Sequence, residues 1–70
     1  MHKQKGRTVY QRPDGSWAIK RNSAVRPSSV HATLLEAERF ARDILKSEGG
    51  GMLVTMGLNR KIWSRRIITR

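Results

Sequence analysis

Thr33-Leu34-Leu35-Glu36-Ala37-Glu38-Arg39-Phe40-Ala41-Arg42-Asp43-Ile44-Leu45-Lys46-Ser47 is the stretch on which the fold turns. Leu34, Ala37, Phe40, Ala41, Ile44 and Leu45 recur at offsets of 0, 3, 6, 7, 10 and 11, which sets them along one face of an α-helix. Thr33 and Glu36 have capping-box spacing, in which the hydroxyl and the carboxylate each satisfy an amide at the helix start. Glu38 and Arg42 stand one turn apart on the polar side, placed for an ion pair. Gly49-Gly50-Gly51 stops the helix and allows a left-handed C-cap. A helix with a single apolar face has to lie on something, and the flanking segments are the only candidates.

Those segments have strand character. Before the helix, Arg7 to Arg12 contain Thr8, Val9 and Tyr10, which suit a pleated, half-buried surface. Pro13-Asp14-Gly15-Ser16 supplies turn chemistry, and Trp17-Ala18-Ile19-Lys20-Arg21 alternates large apolar with small or charged residues, so the two runs form a β-hairpin. Asn22 to Arg26 are expected in a loop. Pro27 to His31 form a short third strand, held to an edge or a strand start by Pro27. After the helix, Met52 to Met56 read as a strand, Gly57 to Arg60 as a turn, and Lys61 to Trp63 as the return.

The expected fold class is therefore α+β in the order ββ(β)αββ, a small, mostly antiparallel sheet of 4–5 short strands with one helix packed on one face. Residues 1–6 read as a flexible basic arm, 7–63 as a single domain, and 64–70 as either a basic and apolar C-terminal tail or the last strand. Trp17 and Phe40 are assigned to the core, because so small a core needs their area. Trp63 sits among charges and is open to either role.

A chain of 70 residues is one domain at most and buries only about 60% of the surface its unfolded form exposes. Its 37% apolar content suffices for a thin two-layer core and not for a deep catalytic cleft. The absence of cysteine removes disulfides, thiolate nucleophiles and thiolate metal sites. The longest apolar runs, Met52-Leu53-Val54 and Ile67-Ile68, fall far short of a signal-peptide core or a membrane span, so a cytoplasmic location is expected.

Charge carries the functional signal. Fifteen Lys and Arg against five Asp and Glu give a net charge of +10. Residues 33–48 hold four of the acids and a net −1, residues 1–32 hold +6, and residues 49–70 hold +5 with no acid. Such self-repulsion weakens a marginal domain, and a polyanion is its commonest purpose, since each Lys or Arg contact with a phosphate releases condensed counterions. With one face under the helix, the other face and the loops should display most of the Lys and Arg. Arg12, Lys20 and Arg21 on the first hairpin are the candidate readers in a DNA groove. Arg60, Lys61, Arg65 and Arg66 on the second are the candidate phosphate clamps. Tyr10 and Trp63 are the candidate platforms if unpaired bases stack on the sheet instead.

Catalytic and metal chemistry find little to work with. Ser28-Ser29-Val30-His31 places serine beside histidine on one strand, where no triad geometry follows, and a turn or capping role suits those serines better. His2 and His31 are too far apart, with no clustered carboxylates, to hold a metal. Gly49-Gly50-Gly51 follows a helix, whereas phosphate-cradling glycines precede one. No catalytic residue, metal or cofactor is expected.

Gly15-Ser16-Trp17-Ala18-Ile19-Lys20-Arg21, Arg26-Pro27-Ser28-Ser29-Val30-His31-Ala32-Thr33, then Glu36-Ala37, Ala41-Arg42 and Leu53-Val54 together resemble an uncharacterised bacterial family, domain of unknown function 2188, over residues 8–63. The resemblance implies the fold and no activity. The chain departs from the family pattern in its second hairpin, Met56-Gly57-Leu58-Asn59-Arg60-Lys61-Ile62, where Arg60 stands at a position usually glycine. It also departs at Ser64-Arg65-Arg66-Ile67-Ile68, where the family is polar and acidic. The function expected is that of a small, basic, non-enzymatic nucleic-acid-binding protein, with DNA favoured over RNA and a homodimer as one way to double the footprint. The alternative is a protein-interaction module that docks on an acidic protein partner. A membrane is not expected as the partner, since no basic amphipathic helix is present.

Overall fold

The computed structural model describes residues 6–22 and 24–69. The chain runs β1 (Gly6–Gln11), β2 (Trp17–Arg21), β3 (Ser29–His31), α1 (Leu34–Ser47), β4 (Gly51–Met56) and β5 (Ile62–Ile68). The strands form one sheet in the order β3-β2-β1-β4-β5, antiparallel throughout except for the central β1–β4 pair, which is parallel. This is the α+β arrangement expected from the sequence, with the third strand present. Of the proposed arm, residues 1–5 lie outside the described residues and Gly6 opens β1. Ser64 to Ile68, for which a tail and a last strand were both open, continue β5.

Local chemistry sets the element boundaries. The Thr33 hydroxyl accepts the Glu36 amide at 3.2 Å, and Thr33 is extended, as an N-cap requires. At the other end the Gly50 amide donates to the Leu45 carbonyl at 2.7 Å, with Gly49 at φ 96°, a conformation that glycine adopts without steric cost. In the β1–β2 turn, Asp14 Oδ1 accepts both the Ser16 amide (2.9 Å) and the Ser16 hydroxyl (2.6 Å).

The register then decides which side chains meet. Val9 stands opposite Ile19 on one side and Thr55 on the other, and Arg7 opposite Arg21 and Leu53, so these share the helix-covered face. Val9, Ile19 and Leu53 pack with Trp17 and Ile68 beneath Ala37, Ala41 and Leu45 of α1. Two alanines at the contact let the helix settle close to the sheet. Burying Val9, Ile19, Leu45 and Leu53 contributes about 1.5–3 kcal/mol each.

Two expectations change. Phe40 is not core: it is 45% exposed and rests on the His31 ring at 4.9 Å between centroids. Its position lies at the flank of the apolar stripe, over the short edge strand β3, where nothing else closes around it. Glu38 does not pair with Arg42, because its carboxylate turns inward to accept the Thr55 hydroxyl at 2.9 Å. Among the described residues the ion pair is instead Arg7–Glu48 at 2.8 Å, which ties β1 to the helix end and neutralises one of the cations in the basic N-terminal third.

Trp63 owes its place to an irregularity. Thr55 faces Ser64 but Met56 faces Ile62, so Trp63 is the extra residue of a β-bulge. The bulge swings its ring to the helix side, edge-on to Trp17 at 5.5 Å and 63°. To reach Trp17 the ring crosses Gly57, where an added Cβ would lie 2.6 Å from Cε2, Cζ2 and Nε1 of the indole. Gly57→Ala should therefore lose about 1–3 kcal/mol in urea unfolding and alter the near-UV circular dichroism of the tryptophan pair. Unchanged stability with an unchanged spectrum would mean that the ring is not seated there.

A second outcome concerns the first turn. The Ser16 hydroxyl, and after it the Ser16 amide, hold the Asp14 carboxyl below its ordinary value of 3.8. A depressed carboxylate stabilises the fold above the unfolded value, and that contribution is lost as pH falls through the folded one. Carboxyl NMR titration should find Asp14 below 3.8 in the native chain and higher, part-way back, in Ser16→Ala.

Candidate nucleic-acid interface

With α1 on one face, strand alternation turns Thr8, Tyr10, Ala18, Lys20, Val30, Met52, Val54, Met56, Arg65 and Ile67 to the other, joined by Ile62 opposite Met56. This open face has an apolar centre with two cations, rather than a basic sheet. Its β1–β2 half is partly roofed by the loop after β2, where Asn22 lies against Gly6 and accepts the Thr8 hydroxyl at 2.9 Å. Its β4–β5 half stays uncovered, with Met52, Ile62 and Ile67 exposed.

The sequence-derived cations are divided by the same alternation. Lys20 and Arg65 stand on the open face, and the Lys20 ammonium donates to the Ala24 carbonyl at 3.3 Å. Arg60 and Lys61 project from the β4–β5 turn, and Arg12 follows β1 at the same end of the molecule. Arg21 and Arg66 alternate to the helix side, as Arg7 does. Arg26 lies in a loop, and Arg39, Arg42 and Lys46 lie on α1. The expectation that the open face and the loops carry most of the basic residues is thus only half met. The two stacking candidates are separated as well: Tyr10 is on the open face, and Trp63 is across the sheet against Trp17.

The acids follow a simpler rule. Glu36, Glu38, Asp43 and Glu48 all belong to the helix layer, and Asp14 is in the first turn. Glu38 and Glu48 are engaged by Thr55 and Arg7. No Asp or Glu stands on the open face or in the β4–β5 hairpin among the described residues. The layers therefore differ in balance: the helix side sets four acids against its cations, whereas the cations of the open face and the β4–β5 hairpin have no Asp or Glu on the same elements.

At the hairpin end, Tyr10, Gln11, Pro13, Lys20, Val25, Met56, Gly57, Leu58 and Arg60 line an open basin of about 430 Å³. Met56 belongs to it because the parallel β1–β4 pairing sets it beside Tyr10. Val25 and Leu58 reach it from loops, a juxtaposition that no local pattern announces. Arg60 sits there at φ 61°, inside a turn closed by the Gly57 amide to the Lys61 carbonyl (2.9 Å) and the Arg60 amide to the Gly57 carbonyl (3.0 Å).

Residues 7–68 match the family of uncharacterized proteins conserved in bacteria, DUF2188. The chain belongs to this family. No curated protein and no solved structure matches it. The DUF2188 assignment attaches no chemistry to the site.

The Arg60 backbone separates side chain from strain. A non-glycine residue in the left-handed region costs about 1–2 kcal/mol, and glycine regains part of that in unfolded-chain entropy. Arg60→Gly should raise the stability of this DUF2188 chain by up to about 1 kcal/mol in urea unfolding while removing one cation from the basin. A clear loss of stability would show that the Arg60 side chain holds the turn.

Proposed function

We propose that this protein is a small, non-enzymatic nucleic-acid-binding protein that sets its open sheet face and β4–β5 hairpin against phosphates. The observation that carries the reading is the charge asymmetry between layers. All the acids but Asp14, which sits beside Arg12 in the first turn, lie with the helix, and no Asp or Glu stands on the open face or in the β4–β5 hairpin that bear Lys20, Arg60, Lys61 and Arg65. A domain this small tolerates such self-repulsion at a cost in stability, and a polyanion relieves it on binding. Arg65 on the face, with Arg60 and Lys61 at the tip, spreads the cations along one side as a phosphate backbone requires.

A charge-matched pair of variants tests it. Lys61→Gln with Arg65→Gln should weaken binding to labelled DNA and RNA alike, and flatten the slope of log affinity against log salt by about 0.7–0.9 for each phosphate no longer neutralised. Arg39→Gln with Lys46→Gln removes the same charge from the helix and should leave the slope nearly unchanged. Equal effects in the two pairs would mean that net charge alone is at work.

A second reading has its own observation. Ile67 is 68% exposed beside exposed Met52 and Ile62, along an unpaired edge strand. Apolar edges of this kind serve protein partners, and Arg65 and Arg66 would suit an acidic one. Ile67→Ser, an exposed change outside the core, should abolish capture of such a partner while sparing nucleic acid.

A further inference from the structure

We infer that the basin at the hairpin end is a subsite for one unpaired nucleotide, so that the nucleic acid bound is single-stranded. The inference rests on the nucleic-acid reading above and deepens it by naming the form of the polyanion. The basin's volume of about 430 Å³ lies in the lower part of the range of small-ligand pockets, about 300–1,000 Å³, and suits one base with its sugar. A duplex keeps its bases stacked inside and offers nothing to fill it.

The lining is divided as a nucleotide is. Tyr10, Met56, Val25 and Leu58 supply apolar and aromatic surface for a base, and the phenol ring is the one aromatic side chain among the lining residues. Lys20 and Arg60 are the two cations among the lining residues, available to its phosphate, and no Asp or Glu is among them. Stacking of a base on an aromatic ring is sequence-tolerant and is worth about 1–3 kcal/mol, or roughly five- to 150-fold in affinity. Arg60 lines the basin from a positive-φ position, where glycine would relieve the strain but supply no cation. Arg65, farther along the open face, then meets the phosphates of neighbouring nucleotides as the strand leaves the basin towards β5.

The experiment compares single-stranded DNA, single-stranded RNA and duplex DNA of equal length near 150 mM salt, with methyl NMR of the intact protein. Single strands of either sugar should bind more tightly than duplex and shift the Val25, Met56 and Leu58 methyls upfield through base ring currents. Tyr10→Ala should weaken single-strand binding at least fivefold and leave duplex binding unchanged, while Tyr10→Phe stays within about twofold of the native chain. The two sugars bound unequally would identify the natural strand and uphold the subsite. Tight binding with the basin methyls unmoved would overturn the subsite and leave the phosphate-binding reading standing. Absence of binding by all three would remove both. Basin methyls that shift on dilution of the protein alone would assign the surface to a second copy of the chain and overturn the subsite. The methyl spectra require no substitution, so a poorly folded Tyr10→Ala cannot obscure the result.

Discussion

One helix of 14 residues can cover only one face of a five-stranded sheet. Most of what the molecule presents to a partner follows from that constraint. The covered face holds the core row of Val9, Ile19 and Leu53 under Ala37, Ala41 and Leu45. Among the described residues, the other face has no layer of its own beyond the short loop after β2. In a larger domain a second helix would bury Met52, Val54 and Met56; here they remain as surface, and any partner that covers them replaces the missing layer.

The helix also organises the electrostatics. Its layer carries every acid but Asp14 and turns two of them inward, Glu48 to Arg7 and Glu38 to Thr55. Both contacts join the helix to the central strands, so the residues that balance charge also hold the two layers in register. An Arg7 side chain 7% exposed depends on that carboxylate, because a buried guanidinium left unpaired is strongly destabilising. The opposite side keeps its cations without carboxylates to pair them. The uneven placement of the acids, added to the net charge, is what makes the surface of this DUF2188 chain directional.

The second hairpin shows how a local irregularity reassigns residues. Without the bulge at Trp63, strand alternation would put that ring on the open face with Tyr10. With it, Trp63 crosses Gly57 and lies edge-on to Trp17 at the margin of the core, its ring still half exposed. Arg65 and Arg66, adjacent in sequence, are likewise sent to opposite sides, so a pair that reads as one basic patch is divided between two surfaces. The basin beside them is assembled from four separate segments, the β1 end, Lys20, the loop at Val25 and the β4–β5 turn.

The sequence by itself determined the elements and their order. Helical periodicity from Leu34 to Leu45, the Thr33 cap, the glycine stop and the Pro13–Ser16 turn are all local, and each is satisfied by groups within a few residues. The excess of cations and the confinement of four acids to residues 33–48 are likewise properties of composition and position. Only the tertiary structure decided the parallel pairing of β1 with β4, the burial of Arg7, the exposure of Phe40, the side taken by Trp63 and the existence of the basin. The physical reason is that these depend on which distant residues share a register. A shift of one residue in a strand reverses every face along it, and no short-range pattern in the chain records that choice.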